Sequence, residues 1–365
     1  MPLDRRKPAP TNEGKTNKTN NPNMEKPRMT FRKTLKSAAT SAAATIALLA
    51  GTTSAMALEE VTVAYFMEWP MPFQYAKVQG TYDAEMGVKV NWVAFDTGTA
   101  MSAAMAAGDV HFSVSQGVPP FVVAASAGQD LQILDVAVSY ADNDNCVVQN
   151  ALEIDKDNAG DLAGKKVAVP LGTAAHYGFL KQMDHFGVDL ASLEIIDMAP
   201  PDGAAAFTQG SVDMFCGWGG SLRRAKEAGN VLLTGAEKEA LGILVFDVTS
   251  APAGFVAENS DLVAKFLKVT ADANAMWADS ANHATMLPVI ASDSGMDELA
   301  TAETIATFVF PNVEDQLSAK WLGGGAQEFM QGVAEVFVGA GSIPAALPSY
   351  DTTVNTGPLT AASGM

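Results

Sequence analysis

The chain has 365 residues, 48% hydrophobic and 18% charged, which excludes collagen-like, coiled-coil and low-complexity classes. A formal net charge of −18 argues against a nucleic-acid-binding surface, which needs clustered Lys and Arg. The length supports two domains or lobes with a substantial core.

Charge is spread unevenly. Residues 1–57 carry ten Lys or Arg against three acids, so the rest of the chain is more acidic than the whole. Arg32, Lys33 and Lys36 form a basic stretch, and residues 44–50 an apolar one. Ser54-Ala55-Met56-Ala57 then supplies small residues at an A-x-A site. This order predicts an N-terminal extension and signal peptide over 1–57, cleaved after Ala57. The apolar stretch is too short and too rich in alanine for a membrane span.

After that segment, short apolar runs alternate with helical ones. Residues 61–66 read as a strand, 73–86 as a helix stopped by Gly87, and 88–95 as a strand with period-two alternation. A helix over 101–107, a strand over 110–114, a helix over 119–127 and a strand over 131–138 follow. Such a rhythm predicts a parallel or mixed sheet covered by helices. A second unit opens near Asn143, with strands at 146–149, 167–170, 193–197, 212–215 and 231–233. Its helices fall at 172–185, 204–209 and 222–228, and 241–256 reads as an extended return to the first unit. Beyond Asn259, Ser260 can cap a helix over 261–279, and further helices are predicted over 283–290, 300–308 and 326–337. From Pro344 the chain is rich in Pro, Thr, Ser and Gly and reads as loop or disordered.

Two α/β units joined by two crossings predict a bilobal α/β protein with a cleft. Lobe 1 takes 58–145 plus 251–345, lobe 2 takes 146–250, and 346–365 is a C-terminal tail. Export permits a disulfide between Cys146 and Cys216, but two buried thiols are the preferred reading. His111, His176, His185 and His283 show no metal-ligand spacing, so neither metal nor cofactor is expected.

Ligands in open α/β sheets sit at strand ends against helix N-termini, which directs attention to five junctions. Phe66, Glu68 and Trp69 lie on a proline-stiffened loop and can face a cation, although Phe66 and Phe73 can equally pack on the core. Gln116 sits between a strand and a helix start, as a hydrogen-bonding candidate or part of a capping turn. Thr173, His176 and Tyr177 open a helix whose N-terminus can take an anion, against the plainer reading of a structural histidine. Glycines around Trp218 expose its ring to a cleft, unless it fills a crowded turn. Asp247 lies in an apolar strand, where a carboxylate needs a cation or several donors. Its cation is either a ligand ammonium or one of Arg223 and Arg224. Together these residues suggest a small zwitterionic ligand.

At these positions the chain resembles the taurine-binding branch of the sulfonate, nitrate and thiamine-precursor binding proteins of ATP-driven importers. The resemblance rests on Asp161-Leu162-Ala163-Gly164-Lys165-Lys166-Val167-Ala168-Val169-Pro170, His176-Tyr177, Gly210-Ser211-Val212-Asp213, Trp218 and Phe246-Asp247-Val248, and covers roughly 60–345. It implies a type II periplasmic-binding fold, two α/β lobes on a two-segment hinge that closes on its ligand. It further implies that Thr173, His176 and Tyr177 hold a sulfonate and Asp247 an amine. A periplasmic monomer, taurine or a related aminosulfonate as ligand, and the membrane permease of an ABC importer as partner complete the expectation.

Two departures stand out. The hydroxyl-rich run before the histidine is thinned to Gly172-Thr173-Ala174-Ala175, and Phe66, Glu68 and Trp69 are not expected in the taurine branch. Extra aromatics suit a methylated onium such as glycine betaine or dimethylsulfoniopropionate. An exported hydrolase or a thiamine-precursor-synthase-like enzyme is the competing class. The chain has no G-x-S-x-G and no Cys beside a suitable His, so a binding protein and not an enzyme is predicted.

Overall fold

The computed structural model describes residues 58–140 and 142–365; the expected signal peptide lies outside the described residues. Among the described residues, ten strands run in chain order as β1 (Glu60–Tyr65), β2 (Lys89–Ala94), β3 (Phe112–Gly117), β4 (Leu131–Ser139) and β5 (Asp144–Gln149). They continue as β6 (Lys166–Val169), β7 (Glu194–Asp197), β8 (Met214–Trp218), β9 (Gly229–Val231) and β10 (Phe246–Pro252). One sheet has the order β2-β1-β3-β10-β4 and the other β7-β6-β8-β5-β9. In the first, β1 is parallel to β2 and β3, while β10 is antiparallel to both its neighbours. The second repeats this scheme, with β6 parallel to β7 and β8 and β5 antiparallel to both neighbours. The architecture is the predicted bilobal α/β fold.

Each antiparallel strand is the one that follows a crossing between sheets. Parallel strands end at the cleft, so a strand running the other way begins there. β5 and β10 therefore bring their first residues to the cleft, and those include Asp144 and Asp247. The return crossing falls before Phe246, so Asp247 belongs to the first sheet and not to lobe 2, where a boundary at 250 would place it.

Local sequence accounts for the helices that meet the cleft. Thr97 caps Gly98–Ala107 by accepting from the Ala100 amide, and Gly108 ends the helix in a left-handed conformation. Thr173 and Gly187 do the same for Ala174–Phe186. The single helix predicted over 73–86 is two short ones, Phe73–Val78 and Thr81–Met86, because Gly80 takes a left-handed φ of 69° between them. The predicted C-terminal loop also differs. Gly357–Ser363 is helical, and its Leu359 and Ala362 are buried against the Ser260–Ala278 helix. Burial of that apolar face outweighs a weak local helix signal.

Cys146 and Cys216 are not the two thiols preferred from sequence but form a disulfide. They sit directly opposite each other on β5 and β8, with Cα atoms 4.0 Å apart. Among the described residues no helix is long and apolar enough to cross a membrane, and no cluster of His, Cys, Asp and Glu could hold a metal ion.

Candidate functional site

A small cavity lies between the sheets, lined by Phe66, Trp69, Tyr140, Asp144, Trp218 and Asp247, with Thr173 and Ala174. Gly98, Gly117 and Pro120 complete the wall. Gly98, Gly117, Thr173 and Trp218 each stand at the start of a helix, so four helix N-termini meet the cavity. Free backbone N–H groups and the positive dipole ends collect there.

Asp247 is almost fully buried and accepts from Tyr140 OH at 2.7 Å and from Ser115 Oγ at 2.7 Å. Trp69 Nε1 donates in turn to Ser115 Oγ at 2.8 Å. Neither Arg223 nor Arg224 is its partner; they pair with Glu227 and Glu68. Two neutral donors do not offset the loss of water around a carboxylate. Burial accordingly raises the Asp247 pKa to about 7, the two hydrogen bonds pull it down, and the Asp144 charge pushes it up. Ser115 takes a positive φ of 59°, an uncommon conformation for a residue other than Gly, Asn or Asp. That backbone places its hydroxyl between Trp69 and Asp247.

Asp144 faces the same cavity from the second sheet and was not among the predicted residues. Its Oδ2 is buried without a hydrogen-bond partner among the described residues. Burial raises its pKa to about 7, and the nearby Lys238 charge lowers it only in part. The Lys238 ammonium is bonded to the Asp144 backbone carbonyl, not to the carboxylate. Tyr140, also missed, packs edge-on against Trp69 with ring centroids 4.8 Å apart. A signal for Asp144 was present: like Asp247, it is an acid at the start of an apolar strand.

Four predicted residues do not line this cavity. Gln116 is spent inside the first lobe, donating to the Gly98 carbonyl and Ser102 and accepting from Ser250. Its neighbour Ser115 makes the contact with Asp247 instead. His176 Nδ1 accepts from the Gly172 amide, and its ring stacks on Phe337 at 5.4 Å. Burial lowers its pKa to about 4, so it is neutral and offers an anion no charge. Tyr177 packs edge-on against Phe329, in the same Gly325–Gly339 helix as Phe337. Glu68 faces Arg224 across the cleft, at 2.5 and 3.0 Å to its two guanidinium nitrogens.

This ion pair belongs to a seam between the lobes. Glu68 has a left-handed φ of 52°, its carbonyl accepts from the Gly220 amide at 3.3 Å, and its own amide donates to Ser294. Gly219 is fitted to it: φ is +57°, and a Cβ there would lie 2.6 Å from the Glu68 carbonyl oxygen. Phe66 and Trp218, 5.7 Å apart, separate the cavity from an outer hollow bordered by Glu68 and Gly220.

Two α/β lobes meeting over a buried, polar and aromatic cavity define the periplasmic-binding-protein class of fold. The chain belongs to the NMT1/THI5-like family, whose model matches residues 70–284. It is 29% identical over 213 residues to the taurine-binding periplasmic protein of Escherichia coli (strain K12). That alignment covers 58% of this chain and 65% of the relative, just under two thirds of its length. Among solved structures, the alkanesulfonate-binding protein SsuA from Xanthomonas axonopodis pv. citri, bound to MOPS, superposes with a TM-score of 0.67 at 18% identity. The superposition covers 82% of this chain and 100% of that one. The desulfurization enzyme DSZB shares the fold with a TM-score of 0.59 at 14% identity, covering 84% of this chain and 99% of that one. One fold therefore serves both binding and chemistry.

Proposed function

We propose that the protein is the extracytoplasmic solute-binding subunit of an ATP-driven importer, capturing taurine or a related aminosulfonate for a membrane permease. One observation carries this reading: helix N-termini and buried carboxylates face the same small cavity. An anion is favoured at the helix start near Thr173, and a cation at Asp247. The likeness to a taurine-binding relative supports the same choice. Export with cleavage after Ala57 and a hinge at the two crossings are parts of the proposal.

Calorimetry on the purified protein tests the reading, with taurine, hypotaurine, ethanesulfonate, glycine betaine and dimethylsulfoniopropionate as the panel. Taurine should bind, ethanesulfonate much more weakly, and the ligand should be recovered unchanged. Binding confined to the two onium compounds would move recognition to the four aromatic rings and overturn the aminosulfonate assignment.

Capture requires that ligand binding favour the closed lobes, and the Glu68 seam forms only when they meet. Gly219→Ala should weaken taurine binding about tenfold, because the new Cβ displaces the Glu68 carbonyl at a cost of roughly 1–3 kcal/mol. The positive φ adds about 1–2 kcal/mol of strain within the second lobe, visible as a modest fall in melting temperature. Calorimetry and a thermal melt separate the two effects; unchanged affinity would mean that the seam plays no part in closure.

A further inference from the structure

We infer that Asp144 is the second carboxylate of the cation site, so that the ligand's cation is held between the lobes, by Asp247 from one and Asp144 from the other. The inference rests on the zwitterion reading and deepens it. Three observations support it, each independent of the family resemblance.

The first is topological. β5 and β10 are the equivalent strands of the two sheets, each antiparallel and each the first to follow a crossing. Asp144 opens β5 and Asp247 is the second residue of β10, so the fold delivers one acid from each lobe to the same cavity. The second is the state of the side chain. A buried carboxylate oxygen with no donor is costly and rare in native structures, and calls for a missing partner. Asp144 Oδ2 is such an atom, and it belongs to a residue that lines the cavity. Lys238 is the nearby cation, but its ammonium is committed to the Asp144 backbone carbonyl. The third is division of labour. Asp247 already accepts from Tyr140 and Ser115, whereas the Asp144 carboxylate accepts from no described residue. An ammonium with three donors needs more acceptors than Asp247 has left.

The arrangement gives the cation a mechanical role. Without it, two carboxylates from opposite lobes repel each other or retain a proton. With it, each is attracted to the same charge, and the lobes are drawn together. The groups that face Asp144 are Asp247 across the cavity, Tyr140 beside it and Lys238 behind its backbone. The anion-binding helix starts need no contribution from Asp144, so an amine-free sulfonate gains nothing from it.

The test is calorimetry of wild type and Asp144→Asn with taurine and with ethanesulfonate, the same anion without its amine. Taurine affinity should fall about a hundredfold in the variant, while ethanesulfonate affinity should hold or rise, since a buried negative charge has gone. That opposite response cannot come from a misfolded variant. Equal taurine affinity in both proteins, or an equal loss for both ligands, overturns the role of Asp144 and leaves the aminosulfonate reading intact. A wild type that binds no member of the ligand panel overturns both.

Discussion

Asp247→Ala should abolish useful taurine binding, with a loss of about 3–5 kcal/mol in binding free energy, while the ligand-free protein melts close to wild type. The two halves of this expectation have separate causes. The ligand's ammonium would be left in a desolvated cavity with one of its two carboxylates missing. Stability responds differently, because the native protein already bears the strain of burying this acid. Removing it strands the hydroxyls of Tyr140 and Ser115, at about 1–3 kcal/mol each. It also relieves the desolvation and Asp144 repulsion that raise the Asp247 pKa to about 7. These contributions oppose each other and are of similar size.

The same raised values set the pH response of the ligand-free protein. A carboxyl whose pKa rises on folding stabilises the native state below its unfolded value of about 3.9, and that contribution is lost as pH climbs through the folded value. Asp144 and Asp247, both near 7, and the buried Asp135, near 6, should therefore make the ligand-free protein less stable at pH 8 than at pH 5. Asp247→Ala should flatten that slope. If taurine bound Asp247→Ala as tightly as wild type, the cation site would have to lie elsewhere.

Asp247, Trp69, Phe66, Trp218 and Thr173 were legible as candidates because each breaks a local rule: an acid in an apolar strand, large rings in a loop, a hydroxyl at a helix start. The structure places all five on the cavity wall. His176 and Tyr177 stood beside Thr173 in sequence, but the helix turns them onto Phe337 and Phe329 of a C-terminal helix that no local pattern ties to them. Glu68 looked like a ligand carboxylate because its partner Arg224 lies far along the chain and in the other lobe. Gln116 and Ser115 are neighbours on a strand, and pattern alone does not decide which of two adjacent residues supports the site. Asp144 escaped notice for a similar reason. The residues around it mark it only as an acid at the start of a strand; strand direction, a property of the sheet, is what brings it to the cavity.

The strand that carries Asp144 also carries a covalent tie within its sheet. β5 is the first strand to enter the second sheet, and it pairs antiparallel with β8 through Asp144 opposite Trp218 and Cys146 opposite Cys216. The disulfide thus lies two residues from a carboxylate and an aromatic ring that line the cavity. It closes a loop with a sequence separation of 70 residues, for which chain-entropy arguments give about 4 kcal/mol of stabilisation. Replacing both cysteines by alanine should lower the melting temperature by on the order of 10 °C. A reducing agent should lower wild type toward the variant and leave the variant unmoved, which separates loss of the bond from loss of two sulfur atoms. Taurine affinity should fall far less than in Asp247→Ala, because the β5–β8 ladder still holds Asp144 against Trp218. A fall in affinity as large as that of Asp247→Ala, with the melting temperature unchanged, would instead make the disulfide part of the binding site and not of the lobe's framework.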